Sequence, residues 1–274
     1  MLSDHDALFA AILARPDDDL ARLVFADFLE ESGHPAKVAR AAYIRTQIAA
    51  ATESDPAEQL RLTRAAAELR AHFRDEADAL LGATPYLMAF RRRGFVDELR
   101  GGMNVLHALA AELFEVAPVA ALHVESFDAD PGSDADAADV AWMNAAPYLR
   151  SVRRLKIGPG AWDRVYSEDS LSTAEIETVL HCRHLRNLAA LDLSRNDLAD
   201  DWLLWFVPRL PVTPVGRSLR RLDLSGNSFG EAAASLLGAA RGLDALELLD
   251  LTGNRFGSGA QAALRARFGG RVRG

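Results

Sequence analysis

Cysteine is nearly absent from the chain, because Cys182 is the one cysteine among its 274 residues and no internal disulfide can form. Such a composition is typical of a reducing compartment, and we predict a cytoplasmic location. No apolar run approaches the roughly 20 residues that a membrane-spanning helix needs, which predicts no membrane association. The chain is polar from Ser3 onward and has no basic leader, so we expect no secretory signal peptide.

Positive charge is also scarce, since 31 lysines and arginines face 39 acidic residues and the formal net charge is −8. Affinity for a phosphate backbone comes from lysine and arginine contacts, so we predict that nucleic acid is not the partner. A hydrophobic content of 49% excludes disorder as the main state of the chain.

Of the common catalytic motifs, HExxH and GxxxxGK[ST] do not occur, and GxSxG occurs once, at residues 226–230. Residues 181–184, together with Glu177, have metal-ligand residue types, but no CxxC pair completes a tetrahedral zinc site. No flanking motif marks Cys182 as a nucleophile. The acidic run at residues 17–19 lacks the alternating ligands and the twelfth-position glutamate of a calcium loop. We therefore predict a protein that is not an enzyme and binds no metal or cofactor.

The second half of the chain repeats the pattern LxxLxLxxNx followed by an apolar residue, in copies that start at Leu188, Leu219 and Leu246. Leucines two apart on a short strand point to the same side, so the pattern predicts a shared apolar interior. The asparagine of each copy can bond backbone groups of the turn that follows the strand. This is the signature of leucine-rich repeats, which the segment resembles.

The intervals between copies, 31 and 27 residues, leave room for a helix, and the intervening sequences are rich in alanine. We therefore predict an α/β fold: a leucine-rich repeat solenoid of strand–turn–helix units, with a parallel sheet on its concave face. The longer interval contains Pro208, Pro211 and Pro214, which we expect to loop out at one edge.

Less regular units without the asparagine precede the clear copies. Two further strands are predicted around Leu122 and Leu155, and an opening strand around Leu99. Helices are predicted over residues 105–115 and 172–181. The acidic stretch 128–139 is predicted to form a loop that leads into a helix near Trp142.

The first ~80 residues are helical by pattern. Ser3 is predicted to cap the first helix, and the acidic run at residues 17–19 to open the second. A third helix follows, and a fourth with Pro56 at its first position is predicted to continue over residues 60–81. Four helices with short connections predict a small all-α domain that precedes the solenoid.

Residues 16–33, PDDDLARLVFADFLEESG, and residues 40–47, RAAYIRTQ, resemble the repeat-companion domain of planctomycete and myxobacterial protein families. Phe28 stands where tryptophan is common in that family, and Ala42 where an acidic residue is common. The resemblance implies a bacterial protein with a helical companion domain at residues 1–84 and a leucine-rich repeat solenoid at residues 85–274. The family has no established catalytic residues to carry over.

The candidate site lies between the strand leucines, where Asp192, Asp223 and Asp250 would stack in a column that changes sign at Lys156 and His123. The aspartates could alternatively serve only to bond the serine and threonine that follow them. The predicted partner-binding residues on the concave face are Asp192, Ser194, Arg195, Arg221, Asp223, Ser225, Asp250, Thr252, Lys156 and His123.

These residues predict a scaffold that binds a protein partner of unknown identity through its repeats, with a monomer as the default state. An alternative function is regulation of a partner enzyme such as a small GTPase, to which Arg195 would lend charge. A purely structural role is a further alternative. Arg91, Arg92 and Arg93 could bind phosphate or an acidic partner, or could pair with nearby acids.

Overall fold

A computed structural model of the chain describes residues 3–84, 86–126, 141–158 and 171–274. The chain divides into two compact units, the first made of Met1–Leu99 with Leu109–Ala120 and the second of Arg100–Ala108 with Ala121–Gly274. The predicted domain boundary between residues 84 and 85 stays a prediction. The loop predicted over residues 128–139 lies outside the described residues.

Five of the described helices lie wholly in the first unit, and their starts follow the capping chemistry of the sequence. Ser3 and Asp6 form a capping box at the first helix, and the Asp18 side chain accepts a hydrogen bond from the Leu20 amide at the second. Pro56 occupies the first position of the fourth helix, as predicted. The helices are α1 (Asp4–Ala14), α2 (Asp19–Glu31), α3 (Pro35–Thr52), α4 (Pro56–Arg70) and α5 (Glu76–Gly82).

The prediction of one continuous helix over residues 60–81 is wrong, because α4 ends at Arg70 and α5 starts at Glu76. Phe73 lies in the break and is buried, with its ring 5.2 Å from that of Tyr43. Asp75 then opens α5 with a capping box. Arg40 donates two hydrogen bonds to Glu76, at 3.0 and 2.9 Å, which holds the start of α5 against α3.

A β-hairpin follows these helices, made of β1 (Met88–Arg92) and β2 (Phe95–Gly101). The turn residues Arg93 and Gly94 have φ angles of 53° and 92°, as the tight turn of a two-residue hairpin requires. An opening strand was predicted at β2, whereas β1 was not predicted. A core cluster of the first unit is formed by Phe9, Ile12, Phe25, Ala26, Leu29, Ala41, Ile44, Ile48 and Phe95.

The second unit contains a parallel sheet in which consecutive strands are neighbours, as the repeat pattern predicts. The last strand, a two-residue segment at the C-terminal end, was not predicted as a strand. The strands are β3 (Ala121–Val124), β4 (Arg154–Ile157), β5 (Ala190–Asp192), β6 (Arg221–Asp223), β7 (Leu248–Asp250) and β8 (Val272–Arg273).

Helices lie between the strands in sequence, which confirms the predicted α/β class. Residues 141–145 are also helical, as predicted near Trp142. Within the described part of the chain, no helix combines the length and apolar character needed to cross a bilayer. The remaining helices are α6 (Met103–Val116), α7 (Thr173–His181), α8 (Asp200–Arg209), α9 (Pro214–Ser218), α10 (Glu231–Ala239) and α11 (Ser258–Phe268).

The expectation that the proline-rich interval loops out is wrong. Pro208 lies inside α8, and Pro214 occupies the first position of α9. Thr213, fully buried, caps α9 by accepting a hydrogen bond from the Gly216 amide at 3.1 Å. A proline at the first helical position sacrifices no intrahelical hydrogen bond, so Pro214 is compatible with a helix start.

The strand leucines form the interior of the second unit. They are aligned by the strand pairing and are at most 4% exposed, which confirms the predicted apolar interior. Burying a leucine side chain stabilises a fold by about 1.5–3 kcal/mol, so this row is a main source of the stability of the sheet. Its members are Leu155, Leu191, Leu222 and Leu249.

Candidate functional site

The buried asparagines fix the turns that follow the strands. Asn227 donates to the carbonyl oxygens of Leu193 and Leu224 at 3.0 and 2.9 Å, and its Oδ1 accepts from the amides of Asn196 and Leu198 at 3.0 and 3.1 Å. The predicted role of the asparagines is confirmed. Because these bonds join successive turns, they hold the strand ends in register. Equivalent bonds run from Asn196 to Ile157, and from Asn254 to Leu224 and Leu251.

We call the side of the sheet opposite the buried leucines the open face. Strand pairing places one charged or polar residue of each strand in a single column on this side. Neighbouring strands in a sheet lie about 4.8 Å apart, so successive members of the column are close neighbours. From β3 to β8 the column reads His123, Lys156, Asp192, Asp223, Asp250 and Arg273.

Each aspartate of the column bonds the residue two positions later in its own turn. The Oδ1 atoms accept backbone amide hydrogens at 2.9, 2.9 and 3.0 Å, and the Thr252 hydroxyl also donates to Asp250 at 2.7 Å. These bonds support the alternative in which the aspartates serve only to bond the residues that follow them. They use only one oxygen of each carboxylate, however. The amide donors belong to Ser194, Ser225 and Thr252.

Cations neutralise the two ends of the acidic column. Lys156 Nζ lies 3.4 Å from Asp192 Oδ2, and the Arg273 guanidinium lies 3.8 Å from Asp250 Oδ2. Among the described residues, no ion pair involves Asp223, the central carboxylate. Like charges directly opposite each other on neighbouring strands destabilise a sheet, so the centre of the column is an unneutralised site of negative charge.

The other predicted site residues differ in exposure. Ser194 and His123 are each only 6% exposed and offer a partner little surface. Arg195, in the turn after β5 with a φ of 62°, is exposed. Exposed residues of the predicted set also include Arg221 and Thr252, whereas Lys156, Asp192, Asp223, Ser225 and Asp250 are half-buried.

Sequence reasoning missed Arg273 as a member of the column. A two-residue strand contains too little periodicity to identify, and the signal available was an apolar residue followed by a charged one, Val272 and Arg273. Pairing of β8 with β7 places Arg273 beside Asp250.

His123 is buried, although its position in the column predicted an exposed side chain. Its Nε2 donates to the Gly158 carbonyl oxygen at 2.9 Å. All four residues of β3 are buried. Burial lowers the pKa of His123, and the positive charges of Lys156 and Arg100 lower it further, because each disfavours the charged imidazolium.

The lowered pKa of His123 makes a pH-dependent contribution to stability. Between the folded pKa and the unfolded value of about 6.5, the unfolded chain binds more protons, so stability falls as the pH drops below about 6.5. We expect His123→Gln, which keeps a side-chain donor for Gly158, to lose this part of the pH dependence. Urea unfolding at pH 7.5 and pH 5.5, followed by tryptophan fluorescence, measures the difference.

His181→Gln, at an exposed histidine of the same unit, is the matched control for that experiment. A wild-type protein and a His123→Gln variant that lose equal stability between the two pH values would contradict the assignment to His123.

Residues 181–184 do not come together as a metal site. Among the described residues, no cluster of three or more histidines, cysteines and acidic residues could hold a metal ion. The Cys182 thiol is buried and donates to the Met143 carbonyl oxygen at 3.4 Å. Burial raises the pKa of this thiol, which disfavours the nucleophilic thiolate.

The three consecutive arginines of the first unit have different surroundings. Arg91 lies 3.0 Å from Asp75 and 2.9 Å from Asp78, and Arg93 lies 3.4 Å from an oxygen of Asp19. Of the two predicted roles, pairing with nearby acids is therefore the one that Arg91 and Arg93 have. Arg92 is exposed, and no ion pair to it is found in the part of the chain that the structure describes.

The comparison with known protein families agrees with the repeat pattern. The family model described as Leucine Rich Repeat matches residues 218–239, which include β6, Asn227 and all of α10. Repeats of this family are generally protein-interaction modules. The specific resemblance of the first residues to a companion domain stays a prediction.

Among solved structures, the chain is similar to a protein from Bacteroides fragilis, with 15% identity and a TM-score of 0.42. The match covers 57% of this chain and 41% of that one, so the chain spans less than half the length of that protein. No curated protein matches the chain.

Proposed function

We propose that the chain is a non-catalytic protein-interaction module that binds a protein partner through the open face, with basic side chains of the partner placed on the aspartate column. The observation that carries this proposal is the in-register stack of Asp192, Asp223 and Asp250. A stack of like charges is unfavourable in the free protein and becomes favourable once an opposite charge lies beside it.

The neutralisation pattern indicates where the partner would contact the face. Lys156 and Arg273 already lie beside the two outer aspartates, so a partner lysine or arginine would gain most at Asp223. Arg221 is exposed two residues before Asp223 on the same strand, on the same side of the sheet. We therefore infer a partner whose basic contact residue has an acidic neighbour. Such alternation of charge favours one docking orientation over others.

The test neutralises the column without removing its turn bonds. In the triple variant Asp192→Asn, Asp223→Asn and Asp250→Asn, each amide oxygen can still accept the turn hydrogen bond, while three negative charges are lost. We expect affinity capture from a lysate of the source organism to recover a saturable partner with the wild type. The triple variant should bind that partner at least about tenfold more weakly, a loss of about 1.4 kcal/mol. Titration calorimetry measures both affinities.

A matched control removes the same number of charges elsewhere. Glu31, Glu177 and Asp201 are exposed acids outside the open face, and their amide variants should leave the partner's affinity unchanged. Equal recovery by both triple variants would reject the open face as the binding site.

Regulation of a small GTPase remains the alternative function. The exposure of Arg195 is compatible with it, but exposure is shared by many arginines and is not specific. Turnover assays with candidate GTPases, with and without Arg195→Ala, would show this activity directly.

The remaining assignments belong to the same proposal. We infer a cytoplasmic bacterial protein, monomeric and without a cofactor, in which residues 1–84 form the companion domain. Their support is the resemblance of residues 16–33 and 40–47, the negative net charge and the near absence of cysteine.

A further inference from the structure

The first unit contains a groove of about 840 Å³ between α3, α4 and β1. Its lining from α4 lies along one side of the helix, with residues such as Leu60, Thr63 and Ala67 at helical spacing. Among the described residues, no carboxylate lines the groove, whereas four arginines do. The lining therefore combines small apolar side chains with positive charge.

The strand β1 presents its edge to this groove. Residues 89–92, four in succession, line it. Side chains alternate between the two faces of a strand, so a strand that turned one face to the groove would contribute every second residue. Within the described residues, β1 is the end strand of its sheet, with β2 as its neighbour. Its outer edge is therefore open to pairing with an added strand.

The hairpin turn identifies the backbone groups on that edge. A two-residue turn at Arg93 and Gly94 makes the flanking residues a hydrogen-bonded pair, so the amide and carbonyl of Arg92 point toward β2. Because backbone direction alternates along a strand, the amides and carbonyls of Arg91 and Ala89 point to the outer edge. An added strand would pair with these two residues.

Exposed apolar side chains surround the same edge. Leu60 and Phe90 line the groove and are 51% and 46% exposed, and Met88, on the same face of β1 as Phe90, is 43% exposed. Large apolar side chains exposed next to one another mark interaction sites on soluble proteins.

The charges of the groove favour an acidic occupant. Arg91 and Arg70 pair with Asp78, which lies outside the lining. Arg92 lies at the groove, is exposed and has no ion pair among the described residues. A carboxylate of a bound segment would therefore meet a guanidinium that is free to form a bidentate pair.

We propose that this groove binds an extended, acidic peptide segment of a protein partner, which adds as a strand to the outer edge of β1. The segment places a carboxylate on Arg92 and apolar side chains against Leu60 and Phe90. Five strand residues span about 16 Å, so a segment of five to seven residues fills the edge. This site is separate from the open face and has the opposite charge preference.

The test selects a random nine-residue peptide library on the immobilised full-length chain and measures the best synthetic peptide by fluorescence anisotropy. We expect the selected peptides to alternate apolar and acidic residues. Arg92→Glu should weaken binding at least tenfold. Ala89→Pro should do the same, because it removes an outward amide while leaving the bonds to β2 in place.

Matched controls separate the groove from general effects of charge and hydrophobicity. Arg64→Glu makes the same charge change at an exposed position of α4 that does not line the groove. Leu204→Ser, at a leucine that is also 51% exposed, is the control for Leu60→Ser. The control variants should bind the peptide as the wild type does, and Leu60→Ser should bind it more weakly.

Hydrogen exchange of the wild type supplies a readout that needs no variant. Bound peptide should slow exchange of the amides of Ala89 and Arg91 more than that of Phe90, which already faces β2. The proposal is overturned if no peptide is enriched, if the edge amides are not slowed, or if Arg92→Glu and Arg64→Glu behave alike. Selection of basic peptides, or binding of an oligonucleotide in place of the peptide, would also overturn it.

Discussion

Asn227→Ala is expected to destabilise the second unit by about 3–5 kcal/mol, since a buried polar group without a partner costs about 1–3 kcal/mol. The variant would leave the Leu193 and Leu224 carbonyls and the Asn196 and Leu198 amides without the side chain that bonds them. Asn227 is 5% exposed, so water cannot easily replace these bonds. Strand register, and with it the aspartate column, depends on the same bonds.

Tryptophan fluorescence during urea unfolding measures this loss in the right unit, because all four tryptophans lie at positions 142–205. Asn187→Ala is the control: Asn187 is exposed and makes one hydrogen bond to Arg150, so a loss of at most about 0.5 kcal/mol is expected. Asn254, half-buried in the last clear repeat, should give an intermediate loss. A loss at Asn227 no larger than at Asn187 would show that the asparagine ladder does not stabilise the turns.

Periodic signals made the repeats predictable from sequence. Leu191, Leu222 and Leu249 recur with an asparagine at a constant offset, and the strand pairing aligns all three. A side chain that has the same structural role in each repeat recurs at the same position of the sequence pattern. The helix caps could also be predicted, because Ser3 and Ser172 are each followed by an acidic residue three positions later.

Features that depend on a single tertiary contact produce no repeated pattern in the sequence and were not predicted. The break between α4 and α5 depends on the burial of Phe73 against Tyr43, and residues 60–81 otherwise read as one helix. The strand β1 has three exposed residues out of five, so it lacks the buried alternation that identifies a strand.

The candidate site was likewise predicted only in part. The order of the aspartates in the column followed from the repeat, whereas their neutralisation did not. Arg273 joins the column through a two-residue strand, and His123 is buried within the column because all of β3 is buried. The part of the column that a partner can reach, half-buried or exposed, thus runs from β4 to β8. The groove of the first unit was not foreseen at all, because it requires the hairpin that the sequence did not reveal.

Gly94→Ala is the second large effect we expect, with a loss of about 3–5 kcal/mol in the first unit. Gly94 has a φ of 92°, a conformation that L side chains rarely adopt, and a Cβ there would lie 2.9 Å from Ile44 Cβ and 3.0 Å from Ile44 Cα. Backbone strain of this kind costs about 1–3 kcal/mol, and overpacking a core adds about 1–3 kcal/mol. Because Ile44 belongs to α3, the added methyl group would push the hairpin away from that helix.

Two other glycines distinguish the cost of backbone strain at Gly94 from the cost of its close approach to Ile44. Gly33 has a φ of 66° but open space around it, so Gly33→Ala should cost only about 1 kcal/mol. Gly82 has neither feature, and Gly82→Ala should change stability by at most about 0.5 kcal/mol. Hydrogen exchange of α3 amides measures the series within the first unit. Equal losses at Gly94 and Gly33 would mean that the hairpin moves aside without cost and that its contact with Ile44 does not fix the groove.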